Sequence, residues 1–242
     1  MKRIFDFLIS FVAIVVLSPI FIFFIILVFL QDFKSPFYVA NRVGKNGNLF
    51  KMIKLRSMGI NADKSGLSST SSNDMRITPI GKIIRKYKLD ELTQLFNVFF
   101  GHMSIVGPRP NVTSDVGLYT KEEMGLLSIR PGITDIASIV FSDEGEILSV
   151  HQDADKAYQQ LIRPGKGALG LYYVNNQSFS LDISLIFLTI LAIISKQKAL
   201  RVLFDILNRK NADPDLLETV SRRKPLIPSP PVGSNTIFET RN

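Results

Sequence analysis

Hydrophobic and polar positions divide this chain unevenly. Residues 7–30, FLISFVAIVVLSPIFIFFIILVFL, run without a single charge. As a helix this run is roughly 36 Å long, enough to match the apolar thickness of a bilayer. It is too long for the core of a signal peptide, and no small-x-small cleavage site follows it. Beyond it the pattern shortens. Residues 37–58 read as two short strands around Gly44-Lys45-Asn46-Gly47, a β-hairpin with Asn46-Gly47 at its turn. Residues 61–74 are polar and Ser-rich and predict a loop. A short basic helix is predicted over 78–88. In 89–100, Leu92, Leu95, Phe96 and Phe99 fall at helical spacing and predict a core-facing stripe. The segments VGPRP (106–110) and RPG (130–132) read as stiff loops, IASIVF (136–141) as a strand, and 151–163 as a helix ending at Pro164-Gly165. A second apolar run, 181–196, is too short to span comfortably; a core helix and an interfacial helix fit it equally. After Asn211 the chain is proline-rich and polar, which predicts disorder for most of the tail.

The first apolar run carries two signals that bear on topology. Ser18-Pro19 falls in its middle, where proline removes a backbone donor and kinks or breaks a helix. Both flanks are basic: Lys2 and Arg3 before it, then Lys34, Arg42, Lys45, Lys51 and Lys54 after it. Positive flanks stay cytoplasmic, so a spanning helix would have to export one of them. A helix that enters, bends at Ser18-Pro19 and returns keeps both inside. The Ser18 hydroxyl is placed to serve a backbone group freed at the bend. A kinked helix can also span, so both topologies stay open on these grounds.

Composition narrows the chemistry. The 242 residues suit one domain with attachments. With no cysteine, disulfides and thiolate metal sites are excluded, and two histidines, His102 and His151, do not make a His-rich metal site. The formal charge is +8, and residues 31–110 hold all of it: 13 Lys/Arg against 5 Asp/Glu, while the remaining 16 and 16 cancel. Such a localised basic field suits phosphates, whether of nucleic acid, anionic lipid or a nucleotide substrate.

Within that field, RKYKLDELTQL (85–95) places Asp90 and Glu91 side by side at the head of an apolar run. The plain reading is helix capping, since acids favour the first turn. The chemical reading uses the same position. A carboxylate at a helix start is held as an anion and is available as a nucleophile. Its neighbour offers a hard oxygen ligand for Mg²⁺, which binds through one or two carboxylates plus substrate phosphates. Arg85 and Arg109, the latter between Pro108 and Pro110, could clamp phosphate oxygens. Without such neutralisation an anionic nucleophile would not approach a phosphate. No Walker A sequence occurs, so this is not an ordinary P-loop site.

Taken in order, these segments resemble the bacterial sugar transferases, the monotopic phosphoglycosyl transferases. KRIFDF precedes an apolar run with an internal Ser-Pro; RVGKNGNLFKMIKLRSM follows; then DMRITPIGKIIRKYKLDELTQLFNVFFGHMSIVGPRP; then RPGIT. The likeness covers roughly 1–196 and is most specific over 76–110. It implies an α+β, mainly helical fold: a re-entrant membrane helix (1–32, helix-break-helix at Ser18-Pro19), a small cytoplasmic catalytic domain with a short β-hairpin (33–200), and a C-terminal extension, partly disordered (201–242). It implies a location on the cytoplasmic face of the inner membrane, with Lys2, Arg3, Ser18 and Pro19 as the membrane-topology residues. It further implies a two-step phosphotransfer from a UDP-sugar to a polyprenyl (undecaprenyl) phosphate. Asp90 would be the nucleophile, and Glu91, with Asp90, the Mg²⁺ ligand. Lys54, Arg56, Arg85 and Arg109 would line the phosphate site, and Pro108 and Arg130 would complete the substrate-binding set.

Two positions depart from the family pattern. His102 stands where members often have an acid before Met-Ser, and reads as a surface substitution. Asp135 stands where many have glycine after RPGIT, which leaves the sugar preference open. The chain begins at the apolar segment, so the extra N-terminal membrane domain of larger relatives is not expected. A homodimer through 181–196 or the tail is a further expectation; nucleic acid is not an expected partner. The competing readings are a membrane-tethered nucleic-acid binder, for which no helix-turn-helix or zinc signature is visible, and an inactive scaffold of the same fold.

Overall fold

The computed structural model describes residues 1–62 and 74–239; most of the predicted Ser-rich loop lies outside them. The first apolar run forms one helix, α1 (Lys2–Asp32), with Pro19 inside it. The break expected at Ser18-Pro19 is absent from the helical assignment, and the reason is local. Pro19 has no N–H for the carbonyl four residues back, Val15, and the Ser18 hydroxyl donates to that oxygen instead, at 2.7 Å. The helix stops at Phe33, which takes the left-handed conformation and donates its N–H to Phe29. Among the described residues α1 is the one helix long and apolar enough to cross a membrane.

Only Asp6, Ser10, Phe21 and Val28 of α1 are buried, and Phe11, Val15, Val16, Ile22 and Phe23 stand exposed. Its inward face rests on the rest of the chain along its length. The hairpin strands β1 (Phe37–Val43) and β2 (Leu49–Leu55) pair antiparallel as predicted, Phe37 opposite Leu55 and Val43 opposite Leu49, with Asn46 and Gly47 at positive φ in the turn. Helix α2 (Pro79–Lys86) is capped by the Thr78 hydroxyl. The predicted continuous helix after it is two short pieces, α3 (Leu89–Leu92) and α4 (Gln94–Phe99). The stripe expected to face the core divides: Leu95 is buried, while Phe96 and Phe99 meet α1 rings, Phe21 at 6.2 Å and Phe7 at 4.9 Å between centroids.

A parallel pair follows, β3 (Ser104–Val106) with β4 (Gly132–Thr134). Between them lie the short α5 (Thr113–Val116) and a 3₁₀ turn, Glu123–Ser128. Residues 136–141 are not a strand. Asp135 accepts the Ser138 N–H at 2.6 Å and starts α6 (Ile136–Val140), whose apolar residues are buried. A short apolar run has no period that separates strand from buried helix, and the cap decided.

The remainder is helical: α7 (Glu144–Ser149), α8 (Ala154–Ala157), a π turn (Tyr158–Ile162), α9 (Arg163–Asn175), α10 (Phe179–Ile194), α11 (Lys196–Arg209) and α12 (Pro214–Ser221). Pro164 does not end a helix; it sits in the first turn of α9, where a missing N–H is tolerated. Helix α10 answers to both predicted descriptions: Leu181, Leu185 and Leu188 are core, while Phe187, Ile190, Ile193 and Ile194 are exposed. The tail, expected to be largely disordered, is docked. Beyond α12, Ser229 N–H donates to Gln160 O (3.1 Å), Thr120 Oγ1 to Val232 O (2.6 Å), and Gln160 Nε2 to Phe238 O (2.6 Å).

Candidate active site

Residues distant in sequence converge on α3. The chain reaches it through Lys88, a non-glycine residue in the left-handed region (φ 54°) that occupies the N-cap position without a side-chain cap. Asp90 is therefore the second residue of a four-residue helix and caps nothing. A helix that short has little dipole, so the helix-start stabilisation expected for Asp90 does not operate. What holds the segment is β2. The Thr93 hydroxyl lies 3.1 Å from Ile53 O and 3.2 Å from Asp90 O. Asn97 accepts from Ile53 N (3.0 Å) and donates to Lys51 O (2.7 Å). These two buried polar side chains fill the edge of β2 that β1 leaves open, and so fix Lys54 against the acid pair.

Lys54 Nζ lies 3.9 Å from Asp90 Oδ2, and Arg109 pairs with Glu91 at 2.7 Å. Arg85 donates to the Ser57 hydroxyl at 2.9 Å and acts electrostatically on Asp90. Arg109 owes its place to two glycines. Gly107 N–H donates to Thr134 O and Gly132 N–H to Pro108 O, both at 3.0 Å. A Cβ on Gly132 would lie 2.1 Å from Gly107 N, and one on Gly107 2.4 Å from Arg130 O. The two stiff loops thus close on each other, with Pro108 buried beneath Arg109.

Burial pushes the Asp90 carboxyl above its usual range, against the opposing pull of Lys54. Burial pushes Glu91 the same way, but Arg109, Lys54 and Lys88 outweigh it and draw Glu91 down to about 2. Two adjacent acids are thereby separated into a firmly ionised, arginine-bound partner and a carboxylate that, among the described residues, accepts no close side-chain hydrogen bond. Pairs pushed apart in this way mark acids with different tasks.

Lys54, Arg85, Asp90, Glu91, Pro108 and Arg109 are thus brought together. Two predicted substrate-binding arginines have protein partners outside this cluster. Arg56 is buried and gives its guanidinium to Asp32 (2.5 and 2.6 Å) and Ser35 O (2.8 Å), fastening the end of α1 to β2. Arg130 supports the Arg109 loop through its backbone, and its exposed side chain donates to Gly101 O at 3.0 Å. Lys2 and Arg3 also have protein partners. Lys2 pairs with Asp182 at 2.5 Å, and Arg3 caps the end of α4 through Val98 O (2.5 Å) and Phe99 O (2.6 Å). His102 is exposed, stacked on Phe50.

Sequence reading missed a second group near Arg109: Glu144, Lys166 and Tyr158, which act on one another and on Arg109 electrostatically. No motif announced them: Tyr158 fell in a helix read without a role, and Glu144 and Lys166 fell outside every element the pattern predicted. Among the described residues no cluster of three or more metal-binding side chains occurs. Asp90 and Glu91 alone supply at most two protein ligand groups, a set that fits Mg²⁺ when phosphate and water complete the shell.

One half-buried acid pair is thus ringed by three cations, on a body attached to an exposed apolar helix. Comparison with known proteins identifies the class. The model of the family described as bacterial sugar transferase matches residues 1–196, and the chain belongs to that family. Similar proteins include the exopolysaccharide production protein ExoY of Sinorhizobium fredii, 35% identical over 207 residues, 79% of this chain and 84% of that one. The UDP-N-acetylgalactosamine-undecaprenyl-phosphate N-acetylgalactosaminephosphotransferase of Aeromonas hydrophila is 34% identical over 80% of this chain and 44% of its own length. The UDP-glucose:undecaprenyl-phosphate glucose-1-phosphate transferase of Klebsiella pneumoniae is 31% identical over 78% of this chain and 39% of its own.

Proposed function

We propose that this enzyme moves a sugar 1-phosphate from a UDP-sugar to a polyprenyl phosphate, through an ester on Asp90, as an early membrane step of polysaccharide synthesis. In the first half-reaction an Asp90 oxygen attacks the phosphorus that bears the sugar. The bond from that phosphorus to the UMP oxygen breaks, and UMP leaves with the electron pair. In the second, a phosphate oxygen of the lipid attacks the same phosphorus, and the aspartate departs as carboxylate. Lys54, Arg85 and Arg109 offset the charge that gathers on the phosphoryl oxygens. Glu91, ionised and bound to Arg109, orients that guanidinium. Mg²⁺ held by Glu91, with Asp90, would supply further neutralisation of the phosphates.

The observation that carries this reading is the state of Asp90: half-buried, surrounded by cations, and, among the described residues, with its nearest ionic partner as far as 3.9 Å. A purely structural aspartate in such a place would have a close partner, as Glu91 does. A re-entrant α1 on the cytoplasmic face of the inner membrane belongs to the same proposal. It is supported by the contacts of both helix ends with one body, Lys2 and Arg3 at the start and Asp32 at the close.

Asp90→Asn tests the chemistry. With UDP-sugar, Mg²⁺ and polyprenol phosphate, UMP release and lipid-linked sugar should both fall at least about 10³-fold. Retention of wild-type turnover in that variant would exclude the mechanism.

A further inference from the structure

Strand β1 carries a cation that the mechanism above does not use. The antiparallel register sets Tyr38 opposite Lys54, Ala40 opposite Met52 and Arg42 opposite Phe50. Cross-strand partners share a face, as do alternate residues of one strand. Tyr38, Ala40 and Arg42 therefore stand on the face that carries Lys54, with Phe50 and Met52 of that face packed into the core. The next residue, Val43, donates its N–H to Asn111 O at 2.9 Å. That bond ties the end of β1 to the loop that carries Arg109. Arg42 thus shares a face with Lys54 and adjoins the Arg109 loop.

The electrostatics agree with the register. Tyr38 and Arg42 are about 13 Å apart along the strand backbone, with the small Ala40 between them. Their side chains nevertheless act on each other, and Arg42 also acts on Arg109 and on Lys54. Arg42 is half-buried, and burial works against its charge. Among the described residues its guanidinium makes one hydrogen bond, to Asn41 O at 3.0 Å, and no ion pair; Asp115 attracts it without ion-pair contact. Other cations that act on Arg109 are engaged, Arg85 with Ser57 and Lys166 with Glu144. A half-buried guanidinium beside two more cations lacks the counter-charge that would offset its desolvation. A bound phosphate supplies that charge, and the forked donors of arginine fit its oxygens.

We propose that Arg42 binds a second phosphate, next to the one that Asp90 attacks, at a place taken in turn by the phosphate of the departing nucleotide and that of the arriving lipid. The inference rests on the transfer reaction proposed above. In an in-line displacement the leaving oxygen departs opposite the attacking one. Asp90 attacks in the first half-reaction, so UMP leaves on the side away from it. Asp90 leaves in the second, so the lipid phosphate enters from that same side. One place therefore receives two phosphates in succession, and it lies beyond the cations that surround Asp90. Arg42 is one step further out than they are. It acts on Lys54 and Arg109, while the leading charges on Asp90 are Lys54, Glu91, Arg85 and Arg109.

Equilibrium binding to the full-length, detergent-solubilised protein tests this without turnover. UMP, which carries only the second phosphate, is the nucleotide probe, and polyprenyl phosphate the lipid probe. In the wild-type protein each should displace the other. Arg42→Met and Arg42→Gln should each weaken both ligands at least about tenfold. Arg42→Lys, which keeps the charge and loses the fork, should fall between these variants and the wild type. Uridine, which has no phosphate, should bind wild type and neutral variants within about twofold, which separates a lost phosphate contact from a disturbed fold. The proposal is overturned if both neutral variants bind UMP as the wild type does, if only one of the two ligands is weakened, if uridine is weakened as much as UMP, or if UMP and polyprenyl phosphate bind the wild-type protein together. Failure of the transfer chemistry would register separately, as a missing Asp90 ester in the wild-type protein while these affinities stand.

Discussion

Asp90 and Glu91 are neighbours with the same functional group and opposite electrostatic fates. Arg109 sits on one and not the other. The consequence is a pH dependence with a known sign. Glu91, drawn down to about 2, stays ionised across the working range, so on the proposed mechanism the acid limb of kcat/KM should belong to Asp90 and lie above the ordinary aspartate range. Lys54 is the strongest influence lowering Asp90. Lys54→Met should therefore move the acid limb to still higher pH and lower kcat about 10²-fold; Lys54→Arg should keep the limb near its wild-type position. A pH–rate profile of the three proteins decides it. At this scale the sequence singled out residues that the fold does bring together: the acid pair, Lys54, Arg85, and an arginine trapped between prolines. It was uninformative about Arg56 and Arg130. A basic residue near a phosphate motif looks the same whether its guanidinium faces substrate or, as here, Asp32 and the Gly101 carbonyl, 24 and 29 positions away.

Among the elements, two prolines show why boundaries were hard to read. Each was expected to interrupt a helix, and neither does. At Pro19 the carbonyl left without an α-helical partner, Val15 O, receives the Ser18 hydroxyl, a neighbour visible in the sequence. At Pro164 the corresponding carbonyl, Gln160 O, receives the backbone N–H of Ser229, which no local pattern reveals. That bond also explains why a proline-rich tail is docked: it completes a helix that begins 66 residues earlier. Since the donor is main chain, Ser229→Ala should be neutral, while Ser229→Pro should cost about 1–3 kcal/mol of stability. Thermal unfolding in detergent measures both; equal effects would mean that the side chain matters and the N–H does not. The hairpin and α2 were legible because turn residues and a Thr-Pro start act within a few positions. Helix α6 was not, because its Asp135 cap was read as a departure from a family pattern and not as a helix signal.

For the molecule as a whole, the chief fact is that one apolar helix is fastened at both ends to one catalytic body. Lys2 holds Asp182 on α10, Arg3 holds α4, Asp6 accepts the Ile105 N–H, and at the far end Asp32 holds Arg56 while Val28 packs with Leu55 and Ile84. The outward faces of α1 and α10 remain apolar, and the +8 charge is concentrated in the segment that follows α1. These features are consistent with membrane association, and on the proposed topology the cations would face anionic headgroups. Because the chain has no cysteine, single Cys placed at Met1 and at Ser35 should label from the same side in oriented vesicles. Labelling from opposite sides would establish a spanning helix.

The proposed chemistry rests on one carboxylate, and the most direct measurement is of that carboxylate. The wild-type protein, given its UDP-sugar without lipid, is quenched in acid, digested and examined by mass spectrometry. The account predicts one sugar-phosphate adduct on the peptide carrying Asp90, lost when polyprenol phosphate is added before the quench. An unmodified Asp90 peptide under conditions where lipid-linked sugar forms at full rate, or an adduct on another residue, would contradict it.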